Sequence, residues 1–286
     1  MRLKLKNYLL IIVLISFFSC NTEEDDFVPE IEEPQIENQS GVVLTFDDDF
    51  VNEWYNANSI LETYNWKATF FVTKFNQLSN DKIEKLKTLK SKGHEIAAHG
   101  SNHINAVNYI ATNTLSSYLE VEITPMKNLM IENDLEPITF AYPYGARNTS
   151  LDQTLLNEFQ IIRGTTYGQP DPAYHNCYYN NSQVVFGLGI DKSYSHYSLS
   201  YFISLLEYAK KNNRIVIFYS HKPVETSNAD YETEYNTLIA ICEYVKNNKM
   251  KFYKTSELYQ LQNHFKQNKI AFNQHIQNDT IMKRKM

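Results

Sequence analysis

From residue 41 onward, short β-branched or aromatic runs alternate with longer stretches of helical texture. The runs are 42–46 (VVLTF), 68–72 (ATFFV), 95–98 (EIAA), 138–142 (ITFAY), 161–165 (IIRGT), 184–190 (VVFGLGI), 214–219 (RIVIFY) and 251–254 (KFYK). Helical patterns fall between them at 52–64, 80–92, about 113–133, 151–159, 198–212 and 231–247. The stretch SNDKIEKLKTLKSKG shows the type. Ser79 or Asn80 caps its start, Ile83, Leu86 and Leu89 form an apolar stripe, and Gly93 ends it. Such alternation predicts an α/β fold with a mostly parallel sheet, either a barrel or an open doubly wound sheet. In both, function gathers at the C-terminal ends of the strands. Neither a GxGxxG nor a Walker-type loop is present, so a nucleotide fold has no positive support.

The ends of the chain have a different texture. Residues 1–20 read as an export signal: Arg2, Lys4 and Lys6 precede an apolar run from Tyr8 to Phe18, too short to span a bilayer comfortably. The run ends in SFFSC, which resembles a bacterial lipoprotein signal cleaved before Cys20, with lipid on its thiol. An ordinary secretory signal is the alternative. Residues 21–40 hold eight acids, no Lys or Arg, and two prolines, which predicts a flexible acidic linker. The expected location is the cell envelope, as an outer-membrane lipoprotein exposed at the surface, or else secreted or periplasmic. The tail over 263–286 is polar and ends MKRKM, a solvated end.

Charge changes the picture only by exclusion. The formal net charge is −6. Setting aside the linker's eight acids and the three N-terminal cations leaves about −1 for the body, which gives no electrostatic reason to expect nucleic acid. No protein partner is predicted. Beyond Cys20 only Cys177 and Cys242 remain, expected as unpaired thiols.

Candidate chemistry sits where the strand runs end. VVLTF runs into Asp47, Asp48 and Asp49; EIAA runs into His99, with His103 four residues later; IVIFYS ends at His221. An i, i+4 histidine pair suits one metal ion, and two His with one Asp leave open positions as a catalytic site requires. A second carboxylate beside such a site is a candidate base, and an imidazole is a candidate acid for a leaving group. Each group alone has a plainer reading: surface or core histidines, and an acidic helix cap, which Asp49 fits. His94 lies at the opposite end of its strand and reads as structural.

Together the motifs TFDDD (45–49), HGSNH (99–103), FAYPYG (140–145) and FYSH (218–221) resemble those of the polysaccharide deacetylases, carbohydrate esterase family 4, also called the NodB-homology domain. The resemblance covers 41–262. It implies an α/β fold, a distorted (β/α)7 barrel, with one divalent metal: zinc, or else cobalt or nickel. It implies an acetylated glycan as substrate, with N-deacetylation as the leading activity and O-acetyl esterase activity on xylan-like chains as the alternative. Carried over, Asp48, His99 and His103 match the metal ligands, Asp47 the general base, the Tyr144 backbone N–H the oxyanion donor and His221 the general acid.

Departures from the family pattern are visible. Asp49 replaces a glycine, Gly100 replaces Ser or Thr, and Ser220 replaces a small apolar residue. Ala141 stands where many members carry an arginine that orients the base, and Arg163 is the candidate to supply that guanidinium. The family's Asp-Trp motif behind the acid histidine has no evident counterpart, with neither Trp54 nor Trp66 in place. The missing arginine and Trp motif leave a third reading open, a non-catalytic glycan-binding lipoprotein on the same barrel.

Overall fold

The computed structural model describes residues 39–263, so the expected signal, most of the linker and almost all of the tail lie outside the described residues. Seven parallel strands close into a barrel. They are β1 (Gly41–Asp48), β2 (Thr69–Val72), β3 (Glu95–Ala98), β4 (Thr139–Ala141), β5 (Ile161–Thr166), β6 (Val184–Gly189) and β7 (Ile215–Ser220). Each pairs with the next, and β7 pairs back on β1 from Gly41↔Ile215 to Phe46↔Ser220. That last pairing decides for a barrel over an open sheet. A short β10 (Lys251–Tyr253) also pairs with the start of β1. The barrel is uneven: β3 and β4 share a single registered pair, Ala98↔Phe140.

The helices follow the predicted stretches with physical corrections at their ends, except for a short helix over 106–110 that falls in none of them. They are α1 (Val51–Leu61), α2 (Asn80–Ser91), α3 (Ala106–Ile110), α4 (Leu115–Tyr118), α5 (Thr124–Glu132), α6 (Thr149–Leu155), α7 (Leu199–Lys211) and α8 (Tyr235–Asn247). Ser79 caps α2 by accepting from the Lys82 N–H. The stretch expected as one helix over 113–133 is broken: α4 passes into a π-helical segment, Leu119–Ile123, before α5 with its Pro125. Proline lacks an N–H and crowds the preceding turn, and the widened segment accommodates it. The helix expected from 231 starts at Tyr235, because Glu232–Glu234 pairs as β9 with β8 (Lys222–Val224). Asp49 is not a cap. Phe50 holds the N-cap position of α1 without a side-chain bond, and the Asp49 carboxylate lies 3.8 Å from Lys82 Nζ.

Alternation along the strands separates two apolar regions. Val42, Leu44 and Phe46 of β1 join Phe70, Val72, Ile96, Phe140, Ile162, Val216 and Phe218 in the layer under the helices. Val43, Ile161, Val185, Ile215 and Ile217 fill the lower bore, and Phe71, Ala97 and Ala141 line it higher up. The odd-numbered face of β1 thus delivers Asp47 to the mouth of the bore. Cys177 and Cys242 are buried free thiols. His94 is structural as expected: its Nδ1 accepts from the Ala68 N–H, and its other nitrogen lies 2.8 Å from Asn58 Oδ1.

Candidate active site

The C-terminal ends of the strands open into one cleft of about 460 Å³. Asp47, Asp48, His99, His103, Tyr144 and His221 all line it. Backbone geometry at the donors is unusual: Asp48 has φ +85° and His103 φ +62°. Non-glycine residues hold such conformations where the surroundings dictate them, and functional sites are where they gather.

Asp48, His99 and His103 offer ligand atoms that all lie within 4.8 Å of one another. Asp48 Oδ1 is 3.2 Å from His103 Nε2 and 3.7 Å from His99 Nε2. His99 Nδ1 lies 2.9 Å from the Ala141 carbonyl. A carbonyl only accepts, so the ring proton sits on Nδ1 and the Nε2 lone pair faces the carboxylate, as metal ligation requires. Burial pushes the His99 pKa down to about 4, against the pull of Asp47 and Asp48, which keeps the ring neutral at ordinary pH. Burial would raise Asp48, but the hydrogen bond from His103 and the charges of His99 and His221 outweigh it and hold the carboxyl at about 2. The imidazoles of His99 and His103 and the carboxylate of Asp48 form an N₂O donor set suited to a divalent cation.

Asp47 belongs to a different arrangement. Its Oδ2 is bonded by Arg163 Nη2, while its Oδ1 is buried with no protein partner. Arg163 is fully buried, its guanidinium between the rings of Phe71 (5.3 Å) and Tyr219 (5.0 Å). Ala141 and Arg163 are register partners on β4 and β5. The guanidinium expected on β4 therefore comes from the next strand at the same height.

His221 follows β7 directly. Its Nδ1 lies 2.6 Å from Asp191 Oδ2, and its backbone N–H donates to Asp191 Oδ1 at 3.2 Å. Thr233 Oγ1 donates to the same Oδ1, and Ser220 Oγ donates to Thr233. Burial lowers the His221 pKa, yet the Asp191 hydrogen bond and charge, helped by Asp47 and Asp48, leave it raised overall. The expectation that nothing supports this histidine is thus corrected. Asp191 does so, and Trp54 Nε1 donates to the His221 carbonyl at 2.8 Å. A sequence signal for Asp191 existed: it is an acid ending the apolar run VVFGLGI, as Asp47 ends VVLTF.

Glu122 was not predicted either. It projects from the π-helical segment, fully buried, into the loop that carries His103. Its Oε2 accepts from the Asn102 N–H (2.9 Å) and its Oε1 from the Ile104 N–H (2.8 Å), the residues on either side of His103. Gly100 has φ +84°, and a Cβ there would come within 2.2 Å of Glu122 Oε1. The glycine that removes a hydroxyl from the loop makes room for a carboxylate that braces it.

The polysaccharide deacetylase family model matches residues 35–159, a stretch that carries Asp47, Asp48, His99, His103 and Tyr144. Over these residues the chain is similar to the polysaccharide deacetylases. The barrel superposes on the carbohydrate esterase domain of a multidomain xylanase from the hindgut metagenome of Trinervitermes trinervoides. That match has a TM-score of 0.52 and 19% identity, over 79% of this chain and 92% of that one. It shows the shared fold, a (β/α)7 barrel. A family 4 acetyl xylan esterase from Clostridium thermocellum, solved with a cobalt ion, gives 0.49 and 19% over 77% and 90% of the two chains. The catalytic domain of a peptidoglycan N-acetylglucosamine deacetylase from Eubacterium rectale gives 0.48 and 17% over 76% and 88%. A gellan lyase from a Bacillus species is 29% identical over 144 residues, 49% of this chain but 5% of that protein's length.

Two expected outcomes follow from the supports of the two histidines. Glu122→Gln places an amide NH₂ against a backbone N–H, and zinc affinity should fall about tenfold. Competition with a chelator reads the affinity, and thermal unfolding run alongside separates a loosened loop from a lost fold. His221, raised by Asp191, stays protonated to higher pH, so activity that needs its proton declines as pH rises through that pKa. Asp191→Asn should move this decline to lower pH by about one unit, read from the pH profile of kcat/KM.

Proposed function

We propose that this protein is a metal-dependent deacetylase that hydrolyses acetyl groups from an N-acetylated polysaccharide or oligosaccharide. The observation that carries this reading is the separation of tasks within one cleft. A three-ligand donor set stands beside a carboxylate held by its own cation and an imidazole held by its own carboxylate. The donor set of Asp48, His99 and His103 fits zinc, with cobalt or nickel as alternatives. When bound, the ion supplies Lewis acidity toward the acetyl carbonyl and makes water easier to deprotonate.

The chain's own residues supply the rest. Arg163 occupies Asp47 Oδ2, which leaves Oδ1 to take a proton from the attacking water. The Tyr144 backbone N–H, in a turn at the cleft where that residue has φ +61°, donates to the oxygen that gains charge as the carbonyl carbon becomes tetrahedral. His221 Nε2, opposite the nitrogen that faces Asp191, gives its proton to the departing sugar nitrogen as the C–N bond breaks. Acetic acid and the free amine leave; Asp47 then holds the proton the water gave up and His221 lacks one, and both are reset by exchange with solvent.

Purified protein reconstituted with zinc is expected to release acetate from N-acetylglucosamine oligomers. Asp48→Ala should lose the metal, whereas Asp47→Ala should keep it and lose at least about a hundredfold in kcat. Release from acetylated xylan alone would move the activity to an ester. No release from any acetylated glycan by metal-loaded protein would leave a binding protein.

The N-terminal pattern supports a lipoprotein held at the membrane through Cys20, in the cell envelope. Cells expressing the full chain should incorporate labelled palmitate into it. Cys20→Ala should abolish labelling, and labelling that survives the substitution would exclude this anchor.

A further inference from the structure

The Tyr144 backbone N–H stands in a tight turn, Pro143–Gly145, where Tyr144 has φ +61° and ψ 8°. A bulky side chain is strained in that region unless its surroundings impose it. The turn has two bonds of its own. The Gly145 N–H donates to the Tyr142 carbonyl at 2.9 Å, and the Ala146 N–H to the Pro143 carbonyl at 3.2 Å. The Tyr144 ring is 67% exposed, so its own packing does not impose the conformation.

A buried carboxylate behind the turn does. Asp152 lies in the first turn of α6, a helix capped by Asn148, which accepts from the Leu151 N–H at 2.9 Å. Its Oδ1 accepts from the Tyr142 hydroxyl at 3.0 Å and from Arg147 Nε at 3.0 Å, and its Oδ2 is bonded by Arg147 Nη2. The residue two before Tyr144 and the residue three after it thus meet on one carboxylate. Two-point pairing of a guanidinium with a carboxylate fixes direction as well as distance.

Both ends of this clamp are seated. The Arg147 guanidinium lies 5.2 Å over the Phe186 ring. Gly164 on β5 leaves it room, since a Cβ there would come within 2.9 Å of Arg147 Cδ. At the other end the Tyr142 ring is buried, and its N–H donates to the Arg163 carbonyl at 3.0 Å. Burial and the Asp152 charge raise the pKa of the Tyr142 hydroxyl, so it stays a donor. Neither Asp152 nor Arg147 lines the cleft. A donor for a developing oxyanion has to be held to within about 0.5 Å of its place.

We propose that Asp152 is a positioning residue: by clamping Tyr142 and Arg147 on either side of the turn, it sets where the Tyr144 N–H points. What that N–H does rests on the deacetylase reading, whereas the clamp is a property of the turn itself.

The experiment uses the full chain loaded with zinc, acting on an N-acetylglucosamine hexamer. The variants are Asp152→Ala, Arg147→Met, Tyr142→Phe and the double change Asp152→Ala with Tyr142→Phe. In Asp152→Ala, kcat should fall at least about tenfold, with KM and zinc content held within about twofold. Arg147→Met and Tyr142→Phe should each lose several-fold in kcat. Amide hydrogen exchange at Gly145 and Ala146 should quicken at least about tenfold in Asp152→Ala. The double variant should be no slower than Asp152→Ala alone, because Tyr142 acts through that carboxylate. A lower thermal midpoint with kcat and exchange unchanged would make Asp152 a brace of α6 only and overturn the inference, as would additive losses in the double variant. If circular dichroism shows Asp152→Ala unfolded, Arg147→Met and Tyr142→Phe decide by the same rates. If the wild-type chain releases no acetate, the deacetylase reading fails separately. Exchange at Gly145 and Ala146 then decides the clamp alone: quickened exchange upholds it and unchanged exchange overturns it.

Discussion

The bond between Arg163 and Asp47 is the constraint around which the mouth of the barrel is built. A guanidinium and a carboxylate removed from water are each costly unless paired, and breaking such a pair costs far more than never having formed it. Here the cation is entirely buried and sandwiched between Phe71 and Tyr219. That sandwich requires space, which Ala97 and Ala141 provide by being small on the same bore-facing side. Gly187 does so too, since a Cβ there would stand 3.3 Å from Arg163 Cδ. The fixed guanidinium leaves Asp47 one free oxygen, and so separates its task from that of the neighbouring Asp48.

A second pair repeats this logic across the cleft. Asp191 is fully buried and spends both oxygens on His221, one on the ring and one on the backbone amide. The ring is thereby fixed in tautomer and direction together, and Thr233 and Ser220 continue the hydrogen bonds inward. The metal-ligand set has a third brace of the same kind in Glu122, which grips the peptide groups on both sides of His103. Two buried carboxylates and one buried guanidinium thus orient three parts of one site, from the β6–β7 connection, the β3–β4 connection and β5.

Much of this was legible in the sequence. The eight strand runs, the barrel as one of two folds, and Asp47, Asp48, His99, His103 and His221 at the cleft follow from apolar runs that end in acids or histidines, whereas Tyr144 came with the motif resemblance. What escaped depended on distance along the chain or on local backbone. Asp191 lies 30 residues from His221, and only strand order brings them together. Trp54 meets the His221 carbonyl through the packing of α1, which no spacing rule reports. Glu122 looked like any polar helix position, because a π-helical turn rotates it inward from where an α-helix would point it. Asp49 looked like a cap, but Phe50 took that position and left the acid to Lys82 at the surface.

Ala141 serves two partners at once. Its backbone carbonyl sets the proton on His99, and its missing side chain leaves the bore open to Arg163. An arginine restored at this position would point into the same space as Arg163, from the adjacent strand at the same height, and place two like charges against one carboxylate. Arginine at 141 and arginine at 163 are therefore competing ways of holding Asp47. A lineage passing from one to the other by single substitutions must traverse a form with two guanidinium groups in the bore or with none. The placement of this one side chain thus makes positions 141 and 163 a coupled pair, in which a change at one is tolerated only with a change at the other.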